Sequence, residues 1–132
     1  MHKGFLLIGS ALGALAVILG AFGAHSLKQI VPAETVAVFD TGVRYQFYHV
    51  FALIITAILF ERFPAGALYW ARVCFIIGTL LFSGSLYLIT LLKAQDKIGL
   101  KGIGILTPIG GLFFVTGWVL LLVGVARKGL TS

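Results

Sequence analysis

Two histidines, His25 and His49, stand in or beside long apolar stretches of the chain. A neutral imidazole there can ligate haem iron or another metal. Around His49 the run Arg44-Tyr45-Gln46-Phe47-Tyr48-His49 is the densest polar cluster in the sequence. Gln46 and His49 stand at i, i+3 and Tyr45 and His49 at i, i+4, so a helix puts all three on one face. If His25 and His49 share a membrane side, they converge in one pocket with Tyr45 or Gln46 in reach of an imidazole. The hydroxyls of Ser83, Ser85, Tyr87 and Thr107 complete a polar pocket, expected between the first and second spans, suited to binding or transport of a quinone, a haem, a metal or another small molecule. The plainer chemistry is interhelical hydrogen bonding, about 0.6 kcal/mol per contact, and it is the preferred reading. Neither histidine has a Cys or acid at metal-ligand spacing. CxxCH, HExxH, nucleophile-elbow and phosphate-loop patterns do not occur in the sequence. No catalytic residue and no metal set is therefore expected, an enzyme has no positive support, and no cofactor is specified.

The elements that must hold these residues are membrane spans. A helix needs roughly 20 apolar residues to cross the hydrocarbon core. Apolar stretches lie near 5–24, 43–60, 71–92 and 103–125. The second reaches full length if Val36–Val43 continues it. Hydrophobic residues make up 60% of the chain, charged residues 11%, and mean hydropathy is +1.10, whereas soluble domains carry about 25% charged residues. The expected fold is all-α: an integral membrane, antiparallel four-helix bundle in a single domain of 132 residues, with short loops.

Between the first two spans, Ser26–Asp40 is the most polar stretch. Pro32, with Glu34 in the following turn, suits a helix start. Val36, Phe39, Val43 and Phe47 recur at helical spacing. A short amphipathic helix near 32–42 is expected at the interface, with Glu34 exposed, running on into the second span and bending near Gly42. Thr107-Pro108 suits a cap and first turn, which would start the last helix at Pro108. Gly9, Gly13 and Gly20 share one face of the first span, and Gly110 and Gly117 one face of the fourth. Such faces let backbones approach inside a membrane and are expected to lie against helices.

The net charge of +6 comes from ten Lys and Arg against four acids. The basic residues sit at span ends, where they meet headgroups, and no loop is large enough to dock a nucleic acid. Lys28 and Arg44 are candidate headgroup contacts, with Asp40 or Glu34 as the structural partner of Arg44. The expected partners are membrane lipid and a further copy or a larger membrane complex. Cys74, the lone cysteine, reads as a packing residue. The N-terminal apolar run exceeds a signal-peptide core in length and reads as an uncleaved span. Lys and Arg counts tie across the two sides. Expected burial of Arg44 tips the choice toward cytoplasmic termini.

Four motifs occur in order: Gly20-Ala21-Phe22-Gly23-Ala24-His25, Tyr45-Gln46-Phe47-Tyr48-His49, Phe82-Ser83-Gly84-Ser85-Leu86-Tyr87 and Thr107-Pro108-Ile109-Gly110-Gly111. They resemble the YgdD/YwdK family of small bacterial inner-membrane proteins, which is also similar to a small mitochondrial transmembrane protein of animals. The resemblance covers nearly the whole chain. It implies four helices and a multi-pass place in the bacterial plasma membrane. The family is a domain of unknown function, so it implies no reaction, cofactor or site residue.

Overall fold

A computed structural model describes residues 3–62, 66–95 and 101–131. The described residues form helices and turns. Helix α1 spans Lys3–Ala24 and a 3₁₀ turn follows at Leu27–Gln29. Helix α2 spans Ala33–Arg62. The third crossing is built from α3, Gly66–Gly78, a wide turn at Thr79–Ser83, and α4, Gly84–Ala94. A short α5, Lys101–Gly104, leads into α6, Leu106–Thr131. Four of these helical segments are long and apolar enough to cross a membrane.

Local chemistry explains the boundaries. Pro32 has no N–H, but its carbonyl accepts the first bonds of α2, from the N–H groups of Thr35 and Val36. Glu34 follows, exposed in the first turn, where a carboxylate favours the positive end of the helix dipole. From there α2 continues for 30 residues, about 45 Å at the usual rise. The stretch near 32–42 is thus the opening of the second helix rather than a separate element. Gly42 lies inside it as a point of close approach: a Cβ there would stand 2.9 Å from Cε1 of Tyr87. At the fourth crossing α6 already begins at Leu106, so Thr107 lies within the helix and its hydroxyl meets Ser85 on α4 instead of capping. Pro108 falls in the first turn, where its missing N–H costs nothing.

The crossings pack in chain order, α1 on α2, α2 on the third crossing, and α3 with the wide turn on α6. Glycines set the antiparallel register. A Cβ added at Gly9, Gly13, Gly20 or Gly23 would meet Ile54, Val50, Val43 or Phe39 in turn. On the other side, one at Gly117 would meet Phe75, at Gly110 Phe82, and at Gly78 Phe114. Both glycine faces therefore lie against helices. The outer faces carry Leu7, Val17, Ile18, Leu112, Val115 and Leu122, all more than half exposed, which suits contact with hydrocarbon. Leu27, Val31, Phe39 and Val43 form one buried cluster near the α1–α2 connection, and Ala52, Ala71 and Phe75 another between α2 and α3.

Candidate functional site

Gln46 is the centre of the polar interior. Its side chain is 2% exposed, held on the face of α2 that meets both neighbours. Its Nε2 donates to the carbonyl of Leu12 on α1 at 2.7 Å. Its Oε1 accepts from the Tyr87 hydroxyl on α4 at 2.6 Å. One turn before it, the Gly42 carbonyl accepts a bond of 2.7 Å from Ser83. Gln46 thereby ties three crossings at one depth. Bilayer interior offers no water, so such groups must find protein partners.

His49 belongs to a different face. Its Nδ1 lies 2.7 Å from the Tyr45 carbonyl, and Trp118 Nε1 on α6 lies 3.0 Å from its Nε2. A carbonyl only accepts and an indole only donates. Nδ1 must therefore carry the proton and Nε2 must accept, which is a neutral imidazole in one defined tautomer. The ring also stacks on Phe114, with centroids 3.5 Å apart and planes 5° apart. Both nitrogens are engaged, so neither is offered to a metal or haem iron.

Beside His49 a groove of about 480 Å³ opens laterally between α2, the wide turn and α6. Tyr45, Tyr48, Phe82, Phe114 and Trp118 line it with His49. The Tyr45 ring stacks on Phe82 at 4.7 Å. The wide turn supplies this wall: the Gly84 N–H reaches the Thr79 carbonyl, five residues back. One residue more than an α-turn swings Phe82 toward α2 and α6. Such turns recur at functional sites.

The residues expected in one pocket are thus divided. Gln46, Ser83 and Tyr87 come together; Tyr45 and His49 join the aromatic groove. Ser85 and Thr107 pair with each other, 2.5 Å apart, across α4 and α6. His25 stands apart from the others, exposed in the turn after α1, with Nδ1 3.0 Å from the Ala21 carbonyl in the last turn of that helix. The register corrects the expected meeting of the histidines. Gly23 faces Phe39, so His25 lies near the start of α2. His49 comes ten residues after Phe39, about 15 Å deeper along the helix. Neither the Tyr45 phenol nor the Gln46 amide bonds an imidazole. Two consequences are measurable as melting temperature in detergent. His25→Ala should stay within about 0.5 kcal/mol of the parent, as exposed sites do. His49→Ala should cost about 1–3 kcal/mol by orphaning the Trp118 N–H, and the two effects should add. Non-additivity beyond about 0.5 kcal/mol would reinstate a coupled pair.

At the charged end of the α1–α2 pair, Arg44 donates through Nη2 and Nε to Oδ2 of Asp40, at 2.6 and 3.1 Å. The two side chains are 63% and 50% exposed. Arg44 is therefore at the surface, and the leaning toward cytoplasmic termini loses its ground. The buried arginine is Arg72, 2% exposed. Its guanidinium lies 4.0 Å from the Phe5 ring centroid, 4.3 Å from Phe60 and 5.3 Å from Tyr69. This aromatic cage joins α1, α2 and α3 at the opposite end. In the sequence Arg72 is one of the basic residues at span ends. The signal available was the i, i+3 spacing of Tyr69 and Arg72; Phe5 and Phe60 come from remote positions. Among the described residues no group of three or more His, Cys, Asp and Glu could hold a metal ion.

Comparison with known proteins agrees with this architecture. A family model described as a protein of unknown function (DUF423) matches residues 19–111. The UPF0382 inner membrane protein YgdD of Escherichia coli K12 is 39% identical over 99% of this chain and 98% of its own length. The UPF0382 membrane protein YwdK of Bacillus subtilis is 36% identical over 95% and 98%. No solved structure matches. The four crossings and these relatives place the protein in the bacterial plasma (inner) membrane. The chain belongs to the DUF423 family of proteins of unknown function, and its relatives carry the name of membrane proteins.

Proposed function

We propose that this protein is a structural or accessory membrane component, acting by packing with lipid or within a larger membrane assembly, and not an enzyme. The observation that carries the reading is how the polar groups inside the crossings are used. Gln46 is held by Leu12 and Tyr87, Ser83 by Gly42, Ser85 by Thr107, and His49 by Tyr45 and Trp118. Thr56, Thr79 and Thr90 return their hydroxyls to carbonyls of the preceding turn. Intramembrane polar residues otherwise mark pathways and reaction centres. Here the bonds of Gln46, Ser83, Ser85 and His49 join helices and those of the three threonines close within their own helix, which favours a rigid bundle. The purified protein in mild detergent is expected to be colourless and free of stoichiometric metal. A Soret band, a quinone absorbance or one metal ion per chain would overturn the proposal.

One observation favours a second reading, binding of a small apolar molecule. The aromatic groove beside His49 opens to the side of the bundle, where a ligand dissolved in the bilayer would arrive. This site lies between the second, third and fourth crossings rather than between the first and second. A defined non-lipid molecule retained in native mass spectrometry, and lost when Gly111→Leu fills the groove, would favour this reading over the first.

A further inference from the structure

At the end of the bundle that carries His25, the last turn of α1, the connecting turn and the opening of α2 leave a space between them. The last turn of α1 supplies Gly20, Gly23 and Ala24, and the opening of α2 supplies Ala33, Val36, Ala37 and Asp40. Lys28, on the connecting turn, closes the side. The result is a cleft of about 360 Å³. Its walls are small because glycine and alanine form them. Val43 and Phe39 lie at its apolar floor. It stands where the apolar part of the helices gives way to Lys28, Asp40 and Arg44, which is the depth of lipid headgroups.

The polar lining is of mixed sign. Lys28 brings an ammonium, and among the described residues it is in no ion pair. Asp40 brings a carboxylate, and both Arg44 bonds fall on its Oδ2. Oδ1 remains an acceptor with lone pairs to offer. Lys28 suits a phosphate. Oδ1 suits a donor that carries N–H groups and positive charge. We infer that this cleft binds the headgroup of a phospholipid bearing phosphoethanolamine, with the phosphate on Lys28, the ammonium on Asp40, and the acyl chains leaving past Gly20 and Val43. A choline headgroup has the charge but no N–H to donate. A glycerol headgroup offers hydroxyl donors but no cation for the carboxylate. The inference stands apart from the accessory reading, because a bundle of either function can hold a lipid here.

The full chain, delipidated in mild detergent, should be titrated with phosphatidylethanolamine, phosphatidylcholine and phosphatidylglycerol of identical chains, and retention read by native mass spectrometry. One phosphatidylethanolamine should be kept about threefold better than either alternative, the scale set by a partly exposed ion pair. Asp40→Asn, which keeps an acceptor oxygen but removes the charge, should erase the preference over phosphatidylglycerol. Lys28→Gln should lower retention of all three, and being on an exposed turn it leaves the fold intact. Lys93→Gln, also at this end but outside the cleft, should change nothing. Equal retention of the three lipids by the parent, or a preference that survives both Asp40→Asn and Lys28→Gln, would overturn the site. Water-soluble phosphoethanolamine, tested at the same concentration, should not compete. If it displaces the lipid, the cleft serves a free phosphoester and the lipid assignment is wrong.

Discussion

Gly110→Ala is expected to be the most damaging single methyl that can be added to a glycine among the described residues. A Cβ at Gly110 would fall on the backbone nitrogen and Cα of Phe82. A flexible side chain could swing away, but a backbone in the middle of a helical crossing cannot. The point of contact is the wide turn at Thr79–Ser83, whose geometry also carries the Ser83–Gly42 bond and the Phe82 wall of the groove. Moving α6 outward to make room would loosen the contacts of Gly117 with Phe75 and of Gly78 with Phe114 along the same interface. Overpacking costs typically 1–3 kcal/mol, and here the upper end applies. Thermal unfolding in detergent should show a markedly lower midpoint for Gly110→Ala. Gly117→Leu should behave likewise, since its Cβ would stand 2.6 Å from Phe75. Gly13→Leu should be milder, with its Cβ at an ordinary 3.4 Å from Val50. Gly4→Ala, which meets nothing within 4 Å, is the control. If Gly110→Ala melts with the control, the approach of α6 to the wide turn is looser than this geometry requires.

These same glycines show what hydropathy and spacing can reveal. Crossing length follows from apolar run length, because the bilayer sets it. Small-residue faces follow from a repeat of three and four, because a helix sets it. The Asp40–Arg44 pair follows from i, i+4 spacing. All of these are properties of one helix. The meeting of His25 with His49 was a claim about two helices, and it failed on register. That register depends on Gly23 receiving Phe39 and Gly13 receiving Val50, contacts between positions far apart in sequence. Arg72 was missed for a related reason: Phe5 and Phe60 come from the starts and ends of other helices. The Trp118–His49 bond joins positions 69 apart in the numbering, which no local pattern encodes. Gln46 was legible as a polar residue on the His49 face. That it turns the other way, toward α1 and α4, was not.

Gln46 offers the second large effect, and one that separates a structural tie from a binding site. In Gln46→Leu the residue keeps its approximate bulk but loses both hydrogen bonds. The Leu12 carbonyl keeps its place in the α1 ladder. The Tyr87 hydroxyl, which had donated to Oε1, is thrown back on Ser83, whose own hydroxyl is committed to the Gly42 carbonyl, in a partly buried site where water is excluded. Stranding such a group costs about 1–3 kcal/mol. Removing both partners is different, because replacing a bonded pair by apolar groups of similar shape is nearly neutral. Tyr87→Phe alone should cost a similar amount, since it leaves the buried amide oxygen of Gln46 without the Tyr87 donor while Nε2 keeps Leu12. The double variant Gln46→Leu/Tyr87→Phe should therefore recover much of the loss of Gln46→Leu, with a coupling energy of about 0.5–3 kcal/mol. Chemical denaturation of the reconstituted protein measures it. A structural tie predicts that recovery with no change in any co-purifying molecule. Additive losses would show that Gln46 and Tyr87 act separately, and the account of the polar interior as a set of interhelical joints would then fall.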